Sequence, residues 1–391
     1  MKDFKVDVNP EVIKWARESS GYTLEYISKK LKLPTQEYKK IETGEEKISF
    51  KKLQKLADII KRPISVFLLQ KIPNEPSPKL SFRIIPNTLK DTQNNIDPEL
   101  ILTIRKAKYY QSIANELIKD LNLENKISIP NFSLKDDPAK VANQERERIG
   151  IPITEQKKFK NEYQAFNKWR EIIENQNILV FQFSFPIEQS RGFVIVEKNP
   201  PVIVINTKDY ILAKIFTLFH EYAHILLRIS EIYSEEALNT QNQENKEIET
   251  WCNKFASEFL LPKSNFINEY NFLRVNKKLP LENLISKLST TFKVSKQVVL
   301  MKLKEIELIN DDEYREQINK LPKMYKELGK YRFTKSKKDV KFRKCIQERG
   351  KKFISLIFSA KEKGLITTAD AIEYLSLKLN DLNKLESSLE A

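Results

Sequence analysis

The sequence predicts a mainly α-helical α+β chain in which one small β-sheet sits among helices. Three observations lead there. Only 7 of 391 residues are glycine, which leaves few tight turns. Apolar residues recur at helical spacing along most of the chain, and runs of β-branched residues are confined to positions 178–206.

The first seventy residues read as a bundle of short helices. Pro10 opens one helix, to Ser19, with proline in the first turn, and Gly21 interrupts the chain after it. Thr23 is placed to cap a second helix to Leu31, with Leu24, Ile27 and Leu31 on one side. After Leu33-Pro34, Thr35 is expected to cap a third helix over Gln36–Glu42, closed by Thr43-Gly44; Ser49–Ile60 and Ile64–Leu69 follow, parted by Pro63. Two short helices joined by a tight turn form a helix-turn-helix, whose second helix enters a DNA major groove. Thr35, Gln36, Glu37, Lys39 and Lys40 are the side chains it would offer to bases and phosphates.

Proline-rich residues 73–97 read as a linker between this bundle (1–72) and a larger domain (98–310). Asp97-Pro98 starts a long amphipathic helix to about Leu121, with Ile101, Ile104, Tyr109, Ile113, Leu117 and Leu121 inward. Further helices are expected from Asp137-Pro138 to Ile149 and over Glu162–Asn175. The strands are 178–183, 192–196 and 201–206, and helices resume at Tyr210. Residues 311–391 make a basic, helical C-terminal region. Between Lys320 and Lys352, fourteen Lys/Arg face only Glu327, Asp339 and Glu348, within a chain of formal charge +15. Such a segment suits a polyanion or the acidic face of a partner.

Two cysteines, Cys252 and Cys345, make no disulfide framework, and the N-terminus lacks an apolar leader, so a reduced, cytoplasmic protein is expected. The most apolar long window, Tyr210–Leu227, carries Lys214, His220, Glu221 and His224, so no membrane span is expected.

Both histidines of the chain lie in that window, in His220-Glu221-Tyr222-Ala223-His224. No Pro or Gly interrupts Ile211–Leu227. On a helix, rings four residues apart stack on one face and can close on one metal ion, with Glu221 beside them to handle a proton. Zn2+ is the ion this pattern suits. A catalytic zinc needs a third protein ligand, and without a third histidine it must be a carboxylate or a cysteine. The helix expected over Ile248–Leu261 supplies Glu249, with Asn253 on the same face; Glu247 and Cys252 are the rivals. In thermolysin-type enzymes a downstream helix donates such a Glu, and an acid or amide four residues on supports a ligand histidine. Glu249 would then be the ligand and Asn253 the group fixing a ring tautomer.

Trp15-Ala16-Arg17-Glu18-Ser19-Ser20-Gly21-Tyr22-Thr23-Leu24 and Ile41-Glu42-Thr43-Gly44 resemble the Xre (lambda-repressor-like) helix-turn-helix family. Arg191-Gly192-Phe193, Pro201–Asn206, Phe216–His224 and Glu249–Pro262 resemble, in order and spacing, the ImmA/IrrE metallopeptidases. The resemblance to forms that fuse both parts implies a helix-turn-helix bundle, a zincin-like domain and a helical tail. It also implies a cytosolic zinc endopeptidase and transcriptional regulator that cleaves a repressor or toxin-antitoxin partner in a stress, phage or mobile-element response. The alternative is a DNA-binding antitoxin that holds a toxin without cutting it. In the proteolytic reading His220, His224 and Glu249 hold the metal and Glu221 is the general base. Tyr222, Tyr233 and Arg191 are the candidates for stabilising the oxyanion, and paired operator half-sites would favour a homodimer.

Overall fold

The computed structural model describes residues 4–73, 97–123, 129–196, 198–228, 243–331 and 341–390. Most of the expected linker lies outside them, as does Tyr233. They form two compact units, one comprising residues up to Tyr109 with Glu188–Ser190, the other Tyr110–Ile187 and Arg191 onward. Helices dominate both, around two small sheets. Among the described residues no helix is long and apolar enough to cross a membrane.

The first unit opens with β1 (Lys5–Val6), α1 (Pro10–Glu18), α2 (Leu24–Leu31), α3 (Thr35–Thr43), β2 (Ile48–Ser49) and α4 (Phe50–Ile60), followed by a 3-10 turn at Ile64–Leu68. Thr23 caps α2 as expected, accepting the Tyr26 N–H. Thr35 does not cap α3. Pro34 already holds the extended conformation of a cap, without a side-chain hydrogen bond, so the helix begins at Thr35 itself. Gly44, at φ 82°, ends it in the left-handed region. Ile13, Ile27, Leu31, Tyr38, Ile41, Leu53 and Phe67 fill the centre. Within that core Arg17 of α1 grips Glu42 of α3 with two hydrogen bonds, Nε to Oε1 at 2.7 Å and Nη2 to Oε2 at 2.9 Å. Its Nη1 donates to the Tyr22 carbonyl at 3.0 Å. A bidentate pair of this kind fixes direction as well as distance, so α3 is held at a set angle to α1.

Helix α5 (Pro98–Asp120) divides between the units at Tyr109. Tyr110, not the expected Tyr109, is its buried tyrosine; Tyr109 is exposed. The error is one residue of phase, about 100° of rotation, in a helix whose inward positions alternate between three and four apart. In the first unit Arg105 donates to the carbonyl of Ser19, at the end of α1, and to the Ser20 hydroxyl. A guanidinium there suits the negative end of a helix.

In the second unit α6 (Pro138–Ile149), α7 (Ile153–Lys157) and α8 (Glu162–Asn175) precede three strands, β3 (Leu179–Phe183), β4 (Gly192–Ile195) and β5 (Val202–Asn206). The order is β3-β5-β4: β5 runs parallel to β3, Leu179 facing Val202, and antiparallel to β4, Gly192 facing Ile205. Every residue of β3 and β5 is buried, which explains why both are apolar apart from Gln182 and Asn206. Then come α9 (Ile211–Leu226) and α10 (Gln243–Leu260), with further helices to Glu390. Residues beyond 311 belong to this same unit. Helix 341–362 packs on β3 and α8 and is broken at Gly350, φ 76° and ψ 160°.

Two buried residues of α8 hold that break. Arg170 donates to the carbonyls of Gln347 and Val180, and Glu174 accepts from the Lys352 N–H. A guanidinium thus meets the carbonyl end of the first segment and a carboxylate the N–H end of the second. A Cβ at Gly350 would lie inside the Glu174 carboxylate. Combining that overlap with a forbidden φ, Gly350→Ala is expected to cost about 3 kcal/mol or more. Thermal or urea unfolding of the purified variant measures it.

Candidate metal centre

Helix α9 is built so that one stripe faces the core and another faces a polar site. Phe219 and Tyr222 are fully buried, Phe219 stacked on Phe259 of α10 at 4.2 Å between ring centroids and edge-on to Trp169 of α8 at 5.0 Å. At about 100° per residue, His220 and His224 stand roughly 40° apart, and Glu221 roughly 60° beyond His224. Packing by the phenylalanine stripe therefore decides where the histidines point.

The two rings turn their Nε2 atoms on each other at 3.2 Å. From α10, Glu249 brings Oε2 to 3.3 Å from His220 Nε2 and Oε1 to 3.4 Å from His224 Nε2. His220 Nδ1 lies 3.1 Å from Asn253 Oδ1, one turn beyond Glu249. Because a carbonyl oxygen only accepts, this bond places the proton on Nδ1 and directs the Nε2 lone pair toward Glu249 and His224. Burial alone would raise the Glu249 carboxyl, yet with protons on both Nε2 atoms the hydrogen bonds and attraction from the two imidazoles outweigh it and hold the group well below the usual carboxylate range. Lone-pair atoms this close repel one another unless protons or a cation sit among them. The donor set of two imidazoles and a carboxylate accordingly fits a divalent ion.

The rivals lie apart from this cluster. Glu247 is exposed, and Cys252 is fully buried in the apolar core. Glu221, 3 % exposed, reaches β4: its Oε1 is 3.3 Å from where a Cβ at Gly192 would be. That position would also be 2.6 Å from Thr217 Cγ2 and 2.9 Å from the Val204 carbonyl. Gly192 is thus the close-approach residue that lets α9 lie against the sheet. Composition and motif spacing carry no sign of this; only the chain-distant contact with α9 shows it.

Within the described residues, the expected oxyanion candidates Tyr222 and Arg191 are engaged elsewhere. Tyr222 donates to Glu145 Oε2 at 2.5 Å and accepts from Arg148 at 2.9 Å; burial, then the Glu145 charge, push its hydroxyl far up. Arg191 holds Asp209 through Nη1, at 2.7 and 2.9 Å, just before α9 begins. In the first unit Thr35, Gln36, Lys39 and Lys40 are exposed on α3, whereas Glu37 is half-buried and within 3.6 Å of Lys52.

Residues 173–304 match the family model of the IrrE N-terminal-like domain, a peptidase family, and residues 13–67 match that of a helix-turn-helix. No curated protein matches the chain. The protein therefore carries an N-terminal helix-turn-helix fused to an IrrE N-terminal-like domain. The family implies a metal, and every residue of the cluster lies within the matched stretch.

Gly192→Ala is expected to force α9 away from β4 and to lower stability by about 1–3 kcal/mol. Chemical denaturation checks the cost. A two-fold pattern of effects, with Gly192→Ala costly and a comparably buried alanine elsewhere tolerated, identifies the close approach as the cause.

Proposed function

We propose that this chain is a zinc-dependent endopeptidase and transcriptional regulator, cutting a regulatory protein while its helix-turn-helix reads DNA. The observation that carries the proposal is the convergence of His220, His224 and Glu249. Their nearest donor atoms are 3.2, 3.3 and 3.4 Å apart. Around a tetrahedral zinc with bonds of roughly 2.0–2.1 Å, neighbouring ligand atoms are about 3.3 Å apart.

His220, His224 and Glu249 would hold the ion, and Asn253 would keep the His220 tautomer that presents Nε2. When bound, zinc supplies Lewis acidity, polarising the scissile carbonyl and acidifying a water. Glu221 takes the proton of the attacking water and delivers it to the leaving amine, which balances the hydrolysis. Its place on the stripe beside His224, outside the three-member cluster, supports a role in proton transfer rather than ligation. Burial of His220 and His224 keeps competing water from the ligands. On α3, Gln36 and Thr35 would meet base edges while Lys39 and Lys40 neutralise phosphates.

Metal analysis should find one zinc per chain, lost in His220→Ala and kept in Glu221→Gln. Glu221→Gln should nevertheless abolish cleavage of the target protein, and undiminished cleavage by that variant would refute the mechanism. Asn253→Ala is expected to weaken zinc binding about 10–100-fold, measured by chelator competition.

For DNA, replacing both Lys39 and Lys40 by alanine should weaken binding to all sequences alike. It should also flatten the dependence of log affinity on log salt by roughly 1 per lost phosphate contact, measured by fluorescence anisotropy.

A further inference from the structure

Thr217 stands one turn before His220 on α9. Taking His220 as zero, it projects at about 60°, between His224 at about 40° and Glu221 at about 100°. It therefore sits on the stripe that carries the site. It is 1 % exposed, and its hydroxyl makes no hydrogen bond to any described residue.

That is unusual within this protein. Among the described buried Ser and Thr hydroxyls on helices, Ser28 turns back on the Leu24 carbonyl at 2.6 Å and Thr103 on the Glu99 carbonyl at 2.7 Å, and Ser289 donates to the Val294 carbonyl at 2.6 Å. Such back-bonding is the ordinary way for Ser or Thr inside a helix to be satisfied. Thr217 forgoes it, and its methyl is set against Gly192 of β4, beside the point Glu221 Oε1 also approaches. A valine of the same shape would make that contact without burying a hydroxyl at a cost.

We propose that the Thr217 hydroxyl is a substrate-binding and specificity-determining group. It hydrogen-bonds the side chain of a substrate residue flanking the bond that is cut, selecting a polar, uncharged residue such as Ser, Thr, Asn or Gln. Thr217 Cγ2 and Glu221 Oε1 lie 2.6 and 3.3 Å from the same point, the Cβ position at Gly192, so a peptide bond brought to Glu221 comes close to Thr217. A floor whose one hydrogen-bonding group needs a partner discriminates more sharply than an apolar floor does. The inference rests on the endopeptidase reading above.

The test compares the full-length protein with Thr217→Val and Thr217→Ser. Each is loaded with one zinc per chain, melted, and incubated with a degenerate synthetic peptide library whose cut sites are read by mass spectrometry. We expect the unaltered protein to favour a polar, uncharged residue at one position beside the cut. Thr217→Val should lose that preference by about tenfold or more while melting no lower, and Thr217→Ser should retain it. Unchanged preference in Thr217→Val overturns the inference. So does a Thr217→Val protein that melts several degrees lower with stability restored by serine, because the hydroxyl would then have a structural partner. If the zinc-loaded protein cuts no peptide and matches Glu221→Gln, the endopeptidase reading fails, and this inference with it.

Discussion

Three side chains drawn from two helices, each pair with acceptor atoms within 3.4 Å, are the constraint on which the second unit is built. Their mutual repulsion and lost hydration oppose the fold, and the chain offsets that opposition with apolar contact around the same helices. Phe219 and Phe259 stack, Trp169 closes on both, and Tyr222 lies near Phe255. Each such aromatic pair contributes about 0.5–1.5 kcal/mol beyond simple area burial. Rotating α9 by one residue would move these rings and the imidazoles together, so packing and ligand geometry are set by one choice of helix phase.

Polar anchors around that interface restrict how α10 can shift along α9. Trp251 donates its indole N–H to the Asp136 carbonyl at 2.7 Å, and Arg146 donates to the Phe259 carbonyl at 2.6 Å. The Glu145–Arg148–Tyr222 group fastens α6 to α9 in the same region. Charged hydrogen bonds in a low-dielectric interior are directional and costly to break, so they specify register where apolar contact alone would allow sliding. The site is thus supported from behind by residues that touch no metal ligand.

Much of this was legible in the sequence because the signals are local. The His220–His224 spacing, the uninterrupted apolar run around it and the pairing of Glu249 with Asn253 all depend on helical periodicity alone, and the structure brings those four side chains together. The strands were legible as β-branched runs, and the caps at Thr23 and Gly44 as residue types. What could not be read depends on contacts between distant positions or on a single residue of phase. Tyr109 and Tyr110 are adjacent tyrosines, and only packing decides which turns inward. Gly192 owes its role to Thr217 and the Val204 carbonyl, and the break at Gly350 to Arg170 and Glu174, more than 170 residues earlier. Strands of two residues, such as β1 and β2, are too short to show alternation.

The arrangement also bears on whether an ion here would be structural or catalytic. Structural zinc sites close all four positions with protein donors, whereas catalytic ones keep a place open. Among the described residues the cluster has three members, and the acid between the two histidines is not one of them. Burying a carboxylate at Glu221, 3 % exposed, opposes folding, since a charge taken from water needs compensation. A purely structural centre gains nothing from that acid, and an alanine or leucine there would extend the helix at lower cost. The same reasoning covers the Thr217 hydroxyl one turn away. Under the proposed function both groups, which share the stripe that carries the ligands, would serve chemistry at the site.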